Sequence, residues 1–396
     1  MEKIGKASIM DQLVIQETDY DAFSCKTAAM VKHYLPDALI EKTLPNFNEV
    51  YMDYIPSLRE VMLDEQHQKQ QDLQEKKVSL QPQNKQFTSL ANQQRDDLKT
   101  KRYFQKFNRK CSLPSPSHLD TNFSSPFQQQ KSDFPRFSHP ADMGRNQSSP
   151  IMNIGTYLRT ICIDHLLLEK FDILKLPNVQ VINLGCGSDL RYFQYRSAVH
   201  FHKYLDIDFA DSVKMKTKIL KSKNPLFKQT EDDSRVYKLV PMNLNNASEF
   251  ERLVQKEINP EFPLVVISEC CFCYMQDNKV DDLIQIINST YSKNKQLLHW
   301  VCYDPISGKD TKFGEIMYQN LLMTRNLKMY TLLQYSSLQL YQERFHLPQE
   351  SMHGSTMWDM YTSLAKSEKT RLSRCEFLDE LEELKIILSH YIIVYT

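Results

Sequence analysis

The sequence has no excess of charge: 49 basic and 49 acidic side chains in 396 residues give a formal net charge of zero. Bulk attraction to nucleic acid or to an anionic membrane surface is therefore not expected. No run of ~18 apolar residues exists, which excludes a bilayer-spanning helix of the usual kind. The opening stretch, MEKIGKASIMDQLVIQ, is too polar for a secretory signal. The nine cysteines are scattered without paired spacing, so free buried thiols and a cytoplasmic location are expected in place of a disulfide framework. Glycine is scarce, with eight in all. Two of these, Gly185 and Gly187, fall within three residues of each other directly after the β-forming run VQVINL.

An apolar content of 41% is enough for a real core. That core does not draw on residues 65–148, where Gln, Lys, Ser and Pro dominate and no apolar periodicity would repay the entropy of ordering. This segment reads as an unstructured insert, with scattered phenylalanines such as Phe104 and Phe127 as candidate docking points for a partner. The expected organisation is an N-terminal helical segment over 1–64 that contributes to a pocket, the insert over 65–148, and the main domain over 149–396.

After Pro150 the pattern alternates. YLRTICIDHLLLEKF has helical spacing, VQVINL is strand, KYLDID strand, DSVKMKTKIL helix, VYKLVPMNL strand and ASEFERLVQKEI helix. PLVVIS strand, VDDLIQIINSTYS helix and QLLHWVCY strand follow. Strict alternation predicts an α/β fold, an open, doubly wound and mostly parallel sheet. The last third is mostly helical and ends in YIIVY, a run suited to antiparallel pairing at a sheet edge.

In such sheets ligands lie across the carboxyl ends of the strands, where strand order reverses. Gly185 and Gly187 would leave the backbone there bare and permit positive φ. The motif lacks the third glycine of the dinucleotide fingerprint. Asp206 and Asp208 end the second strand, where an acid can accept hydrogen bonds from ribose hydroxyls. Glu269 ends the fourth, and an acid at that depth must meet a positive or hydrogen-bonding partner. Acids at strands two and four around a glycine loop suit S-adenosylmethionine better than a nicotinamide dinucleotide, because that molecule carries a sulfonium and an ammonium but no pyrophosphate. Cys270, Cys271 and Cys273, with Cys186 nearby, invite a zinc site, but a strand would splay them to opposite faces, so structural thiols are expected and no metal.

On these blocks the chain resembles the leucine carboxyl methyltransferase family, most closely its fungal-type members. DYDAFSCKTAAMVKHYLPD looks like the family's substrate-side helix, and SPIMNIGTYLRT like the segment before the first strand. VINLGCGSDLRYF, YLDIDF, VISECCFCYM, FGEIMYQNL and CEFLDELEELKIILSHY match further blocks in order. The resemblance implies a seven-stranded class I, Rossmann-like fold with helical substrate elements at both ends. It implies an enzyme that moves a methyl group from S-adenosylmethionine to the C-terminal leucine α-carboxylate of the protein phosphatase 2A catalytic subunit. The partner would be that subunit's tail together with its folded body, met by a monomer, with no nucleic acid or membrane involved. Sister activities on a modified tRNA side chain or a small acid, or a non-catalytic interaction protein, are the alternatives.

Carried residue by residue, the resemblance places Lys26 and Arg159 at the cofactor's carboxylate and Gly185 against its methionine part. Asp208 falls at the ribose, Asn243 and Leu244 beside the adenine, and Glu269 by the methionine moiety. Asp189 is expected to brace the glycine turn. Relatives often have Asp-Leu where this chain has Asn243-Leu244, and Asp-Arg where it has Thr311-Lys312. Lys312 keeps the charge without the guanidinium fork. A carboxylate nucleophile is already ionised at neutral pH, so no acid/base pair is expected, only positioning groups: Arg159, Tyr303 and Lys312.

Overall fold

Val179–Leu184 forms strand β1 with every side chain buried. A strand buried on both faces needs a sheet neighbour on each side and a packed layer above and below. The computed structural model describes residues 6–35, 148–174, 178–221, 231–308 and 311–396. All of them belong to one compact unit. The insert expected over 65–148 lies outside the described residues except for Ser148.

β1 pairs in parallel with β2 (Phe201–Asp208) on one side and β4 (Leu264–Glu269) on the other. β3 (Tyr237–Pro241) continues in parallel beyond β2, and β5 (Leu298–Pro305) beyond β4. β7 (Tyr391–Tyr395) runs antiparallel to β5, and β6 (His353–Thr356) antiparallel to β7. The order β3-β2-β1-β4-β5-β7-β6 makes one mostly parallel, seven-stranded, Rossmann-like sheet, the fold the sequence resemblance implies. One detail corrects the sequence-based expectation. YIIVY is antiparallel as expected, but it lies inside the sheet, and the edge is β6. The short, half-polar HGST of that edge strand has no alternation to announce it.

Alternate residues of β1 feed two cores. Val179 and Val181 pack with Tyr157, Leu158 and Ile161 of helix α2 (Pro150–Leu174). Ile182 and Leu184 pack on the other face with Phe250 and Val254 of α4 (Ala247–Glu257) and Val280, Leu283 and Ile287 of α5 (Asp277–Thr290). Each such side chain contributes ~1.5–3 kcal/mol on full burial, which is what fixes the register of the strands. The remaining long helices are α1 (Lys6–Val31), α3 (Ala210–Leu220), α6 (Thr311–Arg325), α7 (Met357–Ser363), α8 (Lys366–Cys375) and α9 (Leu381–Ser389). α1 packs on α2 and buries Phe23, Ala28 and Ala29. No helix among the described residues is long and apolar enough to cross a membrane.

β1 and β4 are adjacent, while β2 and β5 lie on opposite sides of them, so strand order reverses between β1 and β4. Gly185 follows the end of one and Glu269 closes the other. The topology therefore brings both sequence-flagged features to one sheet edge.

Candidate active site

The glycine turn is held from three sides. Gly185 and Gly187 have φ of +62° and +44°, the left-handed region where a side chain is strained. A Cβ on Gly185 would sit 2.8 Å from Cys271 Sγ, and one on Gly187 only 2.4 Å from Asp19 Oδ1. The Gly187 N–H donates to Asp208 Oδ2 at 2.7 Å, and Phe209 N–H to its Oδ1 at 2.6 Å. Ser188 donates twice to Asp19 Oδ1, from its N–H at 2.9 Å and its hydroxyl at 2.8 Å. Asp189 braces the turn as expected: Oδ1 accepts the Arg191 N–H, and Oδ2 accepts from Asn183 and from Arg191 Nη1, each at 2.9 Å.

The two aspartates of β2 divide their work. Asp206 is buried and accepts from Lys216 Nζ and Tyr237 OH, each at 2.7 Å, so it supports the sheet. Asp208 faces the cleft. Burial, only partly offset by the Gly187 N–H, pushes its carboxyl up to about 6.

At the other side of the turn stands a knot of charge. Glu269 Oε1 accepts from Arg159 Nε at 2.5 Å with Lys26 Nζ at 4.0 Å, while Oε2 accepts from Arg191 Nη1 at 2.7 Å. Burial alone would raise the Glu269 carboxyl, but the charges of Arg159, Lys26 and Arg191 outweigh it and hold the group well below the usual carboxylate range. Arg191 also donates from Nε to buried Asp164 at 2.7 Å. Sequence reasoning missed Arg191, Asp164 and Asp19. The only local signal was Arg191 two residues after Asp189, which a solvated helix start would share.

One cleft is lined by Lys26, Arg159, Gly185, Asp208, Asn243, Leu244 and Glu269 together. These are all seven residues assigned to the cofactor from the resemblance. The positioning candidates fare differently. Tyr303 is 5% exposed and lies beneath Arg159, whose guanidinium carbon is 5.4 Å from its ring centroid. Lys312 is exposed on the first turn of α6 and is not among the cleft's lining residues. Ile15, Met317, Leu321 and Met329 line a more apolar part, beside the Arg325–Asp21 ion pair at 2.5 Å.

The cysteines also need one correction. Cys270 is not inside a strand: β4 ends at Glu269, Cys270 has φ of +52°, and Phe272–Tyr274 form a single 3₁₀ turn. Among the described residues every cysteine is free, and no group of three or more His, Cys, Asp or Glu side chains could hold a metal ion.

Sequence comparison decides the family. A family model for leucine carboxyl methyltransferase matches residues 109–288. Leucine carboxyl methyltransferase 1 of Kluyveromyces lactis is 30% identical, covering 97% of this chain and 98% of its own length. The chain belongs to the leucine carboxyl methyltransferase family. The Eremothecium gossypii protein of the same name agrees, at 29% identity over 98% of this chain and 99% of its own. Likeness to solved structures is looser: a DUF574-family protein from Streptomyces avermitilis aligns over 62% of this chain at 9% identity and a TM-score of 0.42. The cleft at the β1/β4 switch point is thus the candidate active site of a methyltransferase. Among the described residues, the carboxylates around the glycine turn are engaged: Asp208 and Asp19 accept backbone N–H groups, and Glu269 is held by two arginines.

Proposed function

We propose that this methyltransferase uses S-adenosylmethionine to methyl-esterify the C-terminal leucine carboxylate of the protein phosphatase 2A catalytic subunit. The observation that carries the proposal is the joining of three features in one cleft: the bare turn at Gly185 and Gly187, the Asp208 carboxylate, and the Lys26–Arg159 cations beside Glu269. The donor's parts match these features in chemistry. Gly185 and Gly187 leave the backbone open where a Cβ would intrude. Asp208 accepts the Gly187 and Phe209 N–H groups and a side-chain hydrogen bond from Ser212, and an ionised carboxylate offers about four acceptor sites, so one remains for a ribose hydroxyl. Lys26 and Arg159 would hold a carboxylate, and Asn243 and Leu244 would border the adenine.

When bound, S-adenosylmethionine supplies an electrophilic methyl on sulfur. The protein's task is to strip water from the incoming carboxylate and hold it in line. Such positioning is worth up to ~7–11 kcal/mol. The roof of α1 and the apolar Met317, Leu321 and Met329 serve the desolvation. Incubating the protein with methyl-labelled S-adenosylmethionine and the phosphatase subunit, with and without its last leucine, is the test. A base-labile methyl ester on the intact subunit alone is expected. Label on the truncated subunit, or none on either, would overturn the proposal.

The Asp208 carboxyl gives a pH signature. A ribose hydroxyl donates to the ionised form, and the free protein's carboxyl is raised to about 6. Ligand binding therefore favours loss of that proton. Affinity for S-adenosylhomocysteine is expected to rise by up to about tenfold per pH unit below that value and to level off above it. Titration calorimetry across pH 5–8 checks this, and Asp208→Asn should bind more weakly with the slope gone. A slope that survives in Asp208→Asn would assign it to another group, Asp19 first, since burial also raises that carboxyl.

A further inference from the structure

We propose that Arg191 is a positioning residue that presents Glu269 to an ammonium group, so that the cleft selects a zwitterionic amino-acid end over a singly charged one. This rests on the methyl-donor assignment above. Arg191 is 1% exposed and reaches three carboxylates: Asp164 through Nε at 2.7 Å, and Asp189 and Glu269 through Nη1 at 2.9 and 2.7 Å. Asp164 and Asp189 hold the guanidinium in place, and the guanidinium in turn tethers Glu269 by Oε2. Glu269 Oε1 faces Arg159 and Lys26.

The knot is electrically balanced. With all six groups ionised, the cations Arg159, Arg191 and Lys26 match the carboxylates Asp164, Asp189 and Glu269 in number. A zwitterion preserves that balance, whereas an anion alone leaves excess charge in a site that water screens poorly. A ligand carboxylate arriving at Arg159 and Lys26 competes with Glu269 for them. Held only by Oε1, Glu269 would stay on Arg159 and block the newcomer. Held by Oε2 on Arg191, it can give up Arg159, and its Oε1 then takes the ligand's ammonium as the replacement cation.

The test compares the affinities of S-adenosylhomocysteine and its analogue lacking the α-amino group, by calorimetry, for the parent and for Arg191→Gln and Arg191→Lys. The parent should prefer the amino-bearing ligand by about tenfold to a hundredfold, the range for a hydrogen bond to a charged group. Arg191→Gln should bring that ratio close to one, and Arg191→Lys, which keeps the charge but not the fork, should fall between. A purely structural role for Arg191 would weaken both ligands equally and leave the ratio at the parent value, which would overturn the proposal. Should Arg191→Gln not fold, the same ratio read on Arg191→Lys and on Glu269→Gln decides: both reduced supports it, and an Arg191→Lys ratio equal to the parent's overturns it. A parent that binds neither ligand would instead sink the methyl-donor assignment.

Discussion

Arg159→Ala is expected to lose S-adenosylhomocysteine binding by more than a hundredfold, while Lys312→Ala binds within about twofold of the parent. Both positions carry a positive charge, and the resemblance to the family made both candidates. Their surroundings separate them. Arg159 lies in the cleft with its guanidinium on Glu269, over the Tyr303 ring, and burial of the pair makes each partner depend on the other. Removing it takes away the fork that a ligand carboxylate would use and leaves Glu269 Oε1 facing only Lys26 at 4.0 Å. Glu269 keeps Arg191 on Oε2, so the loss falls on the ligand: each charge-assisted bond a carboxylate would make to the Arg159 fork is worth ~1.5–3 kcal/mol. Lys312 is exposed on α6 and outside the lining of the cleft, so its charge acts on the ligand only through screened solvent. Calorimetric titration of both variants checks the contrast. Comparable affinities would refute the assignment of Arg159.

What could be read from the sequence is what neighbours along the chain determine. Six of the seven strands follow from apolar runs such as VQVINL and PLVVIS, whose burial the fold confirms. Gly185, Asp208 and Glu269 were legible because Gly185 follows a recognisable strand and the two acids each end one, and the parallel order puts such ends on one edge. Arg191 was not legible, because its burial depends on Asp164 in α2 and Glu269 at the end of β4, which only the folded chain brings to it. Asp19 was hidden for the same reason: its partner, Ser188, is 169 positions away. The short edge strand β6 is specified by its pairing to β7 and by little in its own four residues. The turn at Cys270 escaped because the β-formers run on past Glu269, and a positive φ at a cysteine has no sequence signal.

That dependence on distant partners makes Gly187→Ala a sharp probe of how α1 is fastened over the cleft. The substitution is expected to weaken S-adenosylhomocysteine binding by more than a hundredfold and to lower the melting temperature. Two costs combine. An alanine at φ of +44° carries ~1–2 kcal/mol of strain. Its Cβ would also stand 2.4 Å from Asp19 Oδ1 and 2.8 Å from Asp19 Cγ, so the carboxylate must leave. Asp19 then forfeits both hydrogen bonds from Ser188, which tie α1 to the turn. Each such charged bond is worth ~1.5–3 kcal/mol. The two costs can be separated, because Asp19→Ala removes the clash in advance. Adding Gly187→Ala to Asp19→Ala should cost only the ~1–2 kcal/mol of backbone strain, well short of the full Gly187→Ala effect. Gly155→Ala, in α2 with nothing within 4 Å of the new Cβ, is the neutral or slightly stabilising control. Losses that simply add in the double variant would mean that the new Cβ acts independently of Asp19, and that displacing Asp19 from Ser188 is not how Gly187→Ala does its damage.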